Sequence, residues 1–362
     1  MANVRPLVRK NGVMTQMRAG VDTIDPALFA FPGKNKIING DFRFWQRGNN
    51  FPAANGQRYT ADRWQVNGTG STVWAQRVDV PPGGGTVPLL KDSKYMMQVI
   101  VESVAGDGNF ALIQQRIEGV RPNSGKTVTV SFKAKASVAN FKIGVEFQQS
   151  FGNGGSPGVD SIGTSVTLGT DWQQYSATIV VPNIIGKTIT DNDYLQLSFW
   201  LDAGANFAGR SFGAGQKSGT VSIAEVQLED GTSASSFEYR PDALELALCQ
   251  RYYEKSYEIA SAPGTTIVAG SAGSGIRTSY YLSSPCTQYT VRKRSVPALS
   301  IYSPQSGQNG NFAEYNQTGN FVANRIAIVL NISQTNFEML LGNGDATVNN
   351  TARYHWVADS EL

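Results

Sequence analysis

Apolar residues along this chain recur mostly at every second position, the period of a strand with one buried face. Residues 127–136 read TVTVSFKAKA and 141–147 read FKIGVEF, and both alternate over almost their whole length. Residues 72–80 offer Val73, Ala75 and Val78 to one face, and 221–228 offer Val221, Ile223, Val226 and Leu228. Turn signals punctuate these runs. Gly106-Asp107-Gly108-Asn109 separates 95–104 from 110–117, Pro81-Pro82-Gly83-Gly84-Gly85 follows 72–80, and Asp191-Asn192-Asp193 precedes 194–201. A long strand is expected over 166–182, opened by Trp172, and a short broken one over 36–48, KIINGDFRFWQRG, paired with 221–228 as first strand to last. About ten strands with no helix between them imply antiparallel pairing in a sandwich or barrel.

One segment leaves this pattern. Pro241 precedes Asp242, a good N-cap, and Glu245 stands three residues on as in a capping box. Leu244, Ala247, Leu248 and Tyr252 then fall on one face, so a helix is expected over 242–257. A lone helix of about four turns is marginal in water and must pack. Its stripe could face the preceding sandwich or the same helix in other subunits; its place between two β regions favours the second. Beyond it the strand pattern returns at 265–269, 276–282, 298–302, 325–332 and 337–341. Residues 1–35 lack either period and hold scattered apolar groups (Val4, Leu7, Val8, Met14, Met17, Phe29), as an arm that orders only against a partner would.

Composition narrows the function. The chain has 362 residues, enough for two domains, and only 16% are charged while 38 are Gly, which suits short strands joined by turns. A net charge of +3 gives no case for nucleic acid. No apolar run suits a signal peptide or a bilayer span, so synthesis and folding in a cytoplasm are expected, without membrane insertion. Cys249 and Cys286 are expected to be buried, reduced thiols.

Catalytic chemistry finds little to work with. His355 is the one histidine and is expected to be structural, which removes any Ser-His-Asp triad. No zinc spacing or phosphate loop occurs. Asp191, Asp193, Glu229 and Asp230 read as turn chemistry, not as a glycosidase pair, so no enzyme is expected. Sugar rings stack on exposed aromatic rings. Trp45, Trp64, Trp172 and Trp200 lie in strand patterns and are expected in the core. Trp74 opposes the phase of Val73 and Ala75, and Tyr280, Tyr281, Tyr289, Tyr302 and Tyr315 accompany Asn- and Gly-rich loops; these six are the candidate glycan-binding residues.

Several motifs carry a resemblance. Asn39-Gly40-Asp41-Phe42 and the 221–228 strand resemble the opening and closing strands of carbohydrate-binding-module jelly rolls. With Trp45-Gln46-Arg47-Gly48, Phe237-Glu238-Tyr239-Arg240-Pro241 and LELALCQRYYEKS over 244–256, the chain resembles bacteriophage tail-fibre and receptor-binding proteins that carry such a module. Gln115-Arg116-Ile117, VSFKAK and DWQQYS fall in the order of the module, and 291–307 and 354–362 resemble the end domain of these fibres.

The resemblance implies an all-β fold: an extended virion-anchoring arm over 1–35, a jelly-roll β-sandwich over 36–241, a linker helix over 242–257 and a second, smaller β-sandwich domain over 258–362. It implies a homotrimer, with Leu244, Ala247, Leu248 and Tyr252 as oligomerisation residues, joined to phage baseplate or tail proteins through 1–35. The protein would sit in the virion tail and bind a host surface polysaccharide without cleaving it. The alternative is a structural collar or baseplate fibre without glycan affinity, and behind that a polysaccharide depolymerase. No cofactor is implied beyond a structural calcium between first and last strands, for which Asp41 and Glu225 are the oxygen donors; Ala224 stands where many such modules have an acid.

Overall fold

The structure, a computed structural model, describes residues 33–84, 90, 92–342 and 344–362, together with the pairing of β1 (Leu7–Lys10) and β2 (Val13–Gln16). The rest of the expected arm lies outside the described residues. The β1–β2 pairing has a sequence signal, Asn11-Gly12 between two short runs, that lies in turn chemistry and not in periodicity.

The larger sheet comprises β3 (Asn50–Tyr59), β4 (Trp64–Asp79), β5 (Tyr95–Glu102), β6 (Phe110–Glu118), β7 (Thr127–Ala136), β8 (Phe141–Ser150), β9 (Val159–Leu168), β10 (Gln173–Val180), β11 (Tyr194–Ala203) and β12 (Gly219–Asp230). All pairings are antiparallel, in the order β10-β7-β12-β5-β4-β6-β11-β8-β9, with β3 beside β4. The long β4 pairs with β6 through residues 64–69 and with β5 through 72–79, so it carries the chain from one half of the sheet to the other. The sheet thereby curls into a sandwich. Phe132 on β7 meets Phe199 on β11 edge-on at 5.0 Å, and Trp64 lies between Phe199 (6.4 Å) and Phe42 (5.1 Å). These rings are fully buried, and each is of the kind whose loss to alanine costs about 3–5 kcal/mol.

After the helix α1 (Asp242–Gln250), a smaller sheet comprises β13 (Tyr253–Lys255), β14 (Ala272–Gly275), β15 (Cys286–Gln288), β16 (Ala298–Tyr302), β17 (Asn311–Tyr315), β18 (Phe321–Leu330), β19 (Asn336–Leu341) and β20 (Thr351–Asp359). The hub is β20, which pairs with β13, β14, β16 and β17. Phe312, Phe337, Met339, Tyr354 and Trp356 fill its core. The all-β, sandwich-like architecture is the one the alternation implied.

Several expectations need correction. Residues 36–48 form no regular strand, because Asn39 and Phe42 both have φ of 56° and the Asn39 amide closes the turn onto Phe44 and Asp62. The bracket to the last strand survives as isolated bonds, Lys36 N to Leu228 O (2.9 Å) and Val226 N to Gly40 O (2.8 Å). Gly40 is needed there, since a Cβ would lie 2.0 Å from the Val226 carbonyl oxygen. The expected 166–182 strand is two strands, β9 and β10, and Trp172 sits half-buried in the turn between them. Neither 265–269 nor 276–282 is a strand; a single bridge joins Ile276 to Leu282.

The helix is corrected as well. It ends at Gln250 because Tyr253–Lys255 is claimed by β20. Its buried face is Glu245 and Cys249, and the expected oligomerisation stripe is divided. Tyr252 is buried within its own subunit, with the Arg63 guanidinium 3.5 Å over its ring and its hydroxyl donating to Glu118 (2.8 Å). Leu244 is 50% exposed, and Ala247 and Leu248 are half-buried. Cys249 is buried as expected, and burial pushes its thiol pKa well up; Cys286 is exposed on the edge strand β15 instead.

Candidate functional site

Alternation on β6, β11 and β8 sends every second side chain away from the core. Across the three strands the register places Arg116 beside Gln196 and Gln148, and Glu118 beside Tyr194 and Ser150. One end of this outer face is closed by Trp200, Leu112, Phe110 and Phe207, so Trp200 is buried but outside the main core. The middle is internally satisfied. Gln57 and Gln114 both donate to the Gln65 amide oxygen (2.7 and 2.6 Å), Gln196 donates to Ser198 (3.1 Å), and Trp200 and Arg210 both bond Glu146. These groups offer little to a ligand.

The other end opens. Two adjoining clefts of about 430 and 480 Å³ share Asn192, Arg294 and Ser295. Arg116, Ser150, Gly152, Asn153, Tyr194, Glu361 and Leu362 complete the first, and Glu118, Asp191, Asp193, Val296 and Gln334 the second. One wall comes from strands β6, β8 and β11 of the larger sheet, the other from the segments 294–296, 334 and 361–362 that flank strands of the smaller one. Arg116 donates through Nε to Gln196 (3.1 Å) and through Nη1 to Leu362 O (2.6 Å), and its guanidinium lies 4.7 Å from the Tyr194 ring. Arg294 donates to Asn192 Oδ1 (2.7 Å), Ser360 O (3.0 Å) and Glu361 O (3.3 Å). Gly152, at φ +86°, lets the 150–153 loop close on the 190–191 turn, where a Cβ would come within 2.5 Å of Asp191 O.

The carboxylates of the second cleft are fixed as well. Asp193 accepts the Val120 N–H at 2.7 Å. Burial of Glu118 favours its neutral form, but hydrogen bonds from Arg251 and Tyr252 outweigh it and hold the pKa below the ordinary value. An ionised Glu118 is a poor proton donor.

The six aromatic candidates are not brought together. Trp74 stands half-buried on β4, its indole bonded to Asn50 (2.7 Å). Tyr280 and Tyr281 are 53% and 55% exposed on a loop of the small sheet. Tyr289 is buried against Phe337 and Trp356, Tyr302 packs edge-on to Tyr257, and Tyr315 meets Phe321. Tyr194 is not among the six because it lies on a strand and not in a loop; its place on the outer face follows from the alternation of 194–201.

His355 is structural. Its Nε2 lies 2.8 Å from the Ile267 carbonyl, which can only accept, so Nε2 carries the proton and Nδ1 accepts from Ser256 (2.9 Å). Burial lowers its pKa, and its ring stacks on Tyr257 at 3.7 Å.

The carboxylates expected to hold calcium are closed by cations of the chain itself. Asp41 takes Arg43 Nε and Nη2 at 2.6 and 2.5 Å, and Glu225, at a bulge of β12 with φ of 51°, takes Lys133 Nζ at 2.5 Å together with the Ser93 hydroxyl. Among the described residues no three His, Cys, Asp or Glu side chains group as metal ligands. Two carboxylates already neutralised in this way do not fit a divalent ion.

No protein-family model and no curated protein matches the sequence. Solved structures similar to the chain include carbohydrate-binding modules and a tailspike domain. A family 11 carbohydrate-binding module from Clostridium thermocellum, in complex with a β-1,3-1,4-mixed-linked tetrasaccharide, is 13% identical over 50% of this chain and 99% of its own, with a TM-score of 0.31. A CBM4 structure is 20% identical over 53% of this chain and 98% of its own, also at 0.31. The enzymatically active domain of bacteriophage CBA120 tailspike protein 4 is 16% identical over 55% of this chain and 22% of its own, at 0.32.

Proposed function

We propose that this protein is a bacteriophage fibre or receptor-binding protein that joins the virion tail through residues 1–35 and holds a host surface glycan, without cleaving it, in the cleft at Arg116, Tyr194 and Arg294. The observation that carries this reading is the cleft lining. Guanidinium, amide and hydroxyl groups from Arg116, Arg294, Asn153, Asn192, Ser150 and Ser295 surround a single aromatic ring, Tyr194. Sugar hydroxyls take such donors and acceptors, and the C–H face of a sugar takes a tyrosine ring. Binding without cleavage is supported by Glu118, whose lowered pKa unsuits it as the general acid a glycosidase needs.

Assembly as a homotrimer belongs to the same reading. With Tyr252 buried in its own subunit, the subunit contact falls better on β18. There Val322, Ile326, Ile328 and Leu330 are 44%, 46%, 43% and 43% exposed on one face while Ala327 and Val329 pack inward. A strand apolar on both faces suits a sheet covered on both.

A glycan array probed with the full chain tests the function. Retention of bacterial surface polysaccharides, lost in Tyr194→Ala at unchanged melting temperature, is the expected result. A chain that retains none of them is a spacer, and the reading fails.

A further inference from the structure

We infer that the glycan bound in the cleft carries an anionic substituent, a carboxylate or a phosphate, held between the guanidiniums of Arg116 and Arg294. This rests on the reading of the cleft as a glycan site and names the class of sugar it takes. The two side chains come from opposite walls and converge on one stretch of backbone. Arg116 bonds the carbonyl of Leu362 and Arg294 bonds the carbonyl of the residue before it, Glu361. Both guanidiniums line the one cleft of about 430 Å³.

Both cations keep donors to offer. A guanidinium has five N–H groups. Among the described residues Arg116 bonds Gln196 and Leu362, leaving three of five, and Arg294 bonds Asn192, Ser360 and Glu361, leaving two of five. An anion in the planar fork of one arginine and within reach of the next is the arrangement that such donors favour.

The surrounding charge agrees. Glu361 lines the first cleft, but its carboxylate is taken by Arg47 and Arg63, and Asp359 also pairs with Arg47. The cleft lining itself then holds two guanidiniums, Arg116 and Arg294, and one carboxylate, Glu361, that is already paired. The second cleft is opposite in sign, with Asp191 and Asp193 beside Glu118. An anionic sugar is thus directed to the Arg116 side, and neutral sugars, whose hydroxyls can donate to carboxylates, to the other. The polarity gives the bound chain a direction.

The test uses the full chain and a panel of bacterial surface polysaccharides: neutral, uronate-bearing and phosphate-bearing. The expected result is retention of acidic members, weakened by added NaCl and by about ten- to hundredfold in Arg116→Gln, the size of a lost charge-assisted contact. Arg116→Lys, which keeps the charge but not the fork, should fall between. Two treatments of the retained polysaccharide need no variant to fold. Reducing its carboxyls to hydroxymethyl groups abolishes binding if the anion is a uronate, and dephosphorylation does so if it is a phosphate. Retention of neutral members alone, or binding that survives both treatments and high salt, overturns the inference while leaving the cleft a glycan site. Failure to retain any member overturns the glycan reading itself.

Discussion

At the scale of single residues, the chain buries lysines against its own backbone carbonyls. Lys255 is 6% exposed and donates to the carbonyls of Gln46, Ile259 and Ser261. Burial pulls its pKa from the ordinary 10.5 down to about 8, against the attraction of Asp62, and Lys217 is lowered to about 8 in the same way. Between pH 8 and 10.5 the unfolded chain therefore binds protons that the folded chain does not, so stability rises with pH there and is lost as pH falls through 8. From about pH 9 the buried Cys249 thiol, whose pKa burial pushes well up, acts in the opposite sense and offsets part of the climb, and near pH 10 the buried tyrosines Tyr252 and Tyr253 join it. Urea titrations from pH 7.5 to 9.5 should show stability climbing, and climbing less in Lys255→Met, where Lys217 remains. An equal climb in both proteins would place the proton elsewhere.

The pairs Asp41–Arg43 and Glu225–Lys133 make a second prediction at this scale. EDTA and calcium chloride should leave the melting temperature of the full chain where it is. A rise with calcium would mean that the ion binds the folded state after all. Neither partner of these acids was legible as such in the sequence. Arg43 stands only two residues from Asp41, but Lys133 reaches Glu225 through the β7–β12 pairing, which no local pattern encodes.

At the scale of elements, what could be read was alternation. β7 was read to the residue because TVTVSFKAKA alternates throughout, whereas β3, NFPAANGQRY, has Pro, Gly and Asn inside it and no apolar face. It is a strand because β4 pairs with it. The helix start at Asp242 was legible from its cap and the end was not, since β20 competes for Tyr253–Lys255 from about a hundred residues away and pairing overrides helical periodicity. Glu245 belonged to the cap pattern, yet it acts in tertiary structure, where it accepts the Asn39 N–H and both oxygens face Arg240 Nη1 (2.9 and 3.3 Å). Arg240 in turn bonds the carbonyls of Asn35 and Ile37, so Glu245 ties the helix to the first-to-last-strand bracket. Glu245→Ala removes the nearer carboxylate of Arg240, leaving Glu238 at 4.0 Å, and should cost about 1.5–3 kcal/mol in urea unfolding. A loss below about 1 kcal/mol, the worth of an exposed pair, would show that the bracket holds without the helix.

At the scale of the whole molecule, the segment 359–362 joins the two sheets. Asp359 and Glu361 pair with Arg47 and Arg63, Arg116 and the Tyr59 hydroxyl bond Leu362 O, and Arg294 bonds Ser360 and Glu361. The cleft exists because this segment is laid against β6 and β11, which is why neither Arg116 nor Arg294 could be singled out from sequence as a site residue. Glu361→Ala should lower the melting temperature and weaken glycan retention together, while Ile328→Asp on the β18 face should reduce the mass seen by light scattering to that of the 39.0 kDa monomer and leave the melting of each subunit intact. An Ile328→Asp protein that keeps its oligomeric mass places the subunit contact off β18.

The most direct test of the central claim is a crystal structure of the full chain with an oligosaccharide cut from a polysaccharide it retains. The account predicts sugar density over the Tyr194 ring, within hydrogen-bonding distance of Arg116 and Arg294. Density confined to the exposed Tyr280–Tyr281 loop, with this cleft holding only water, would contradict it.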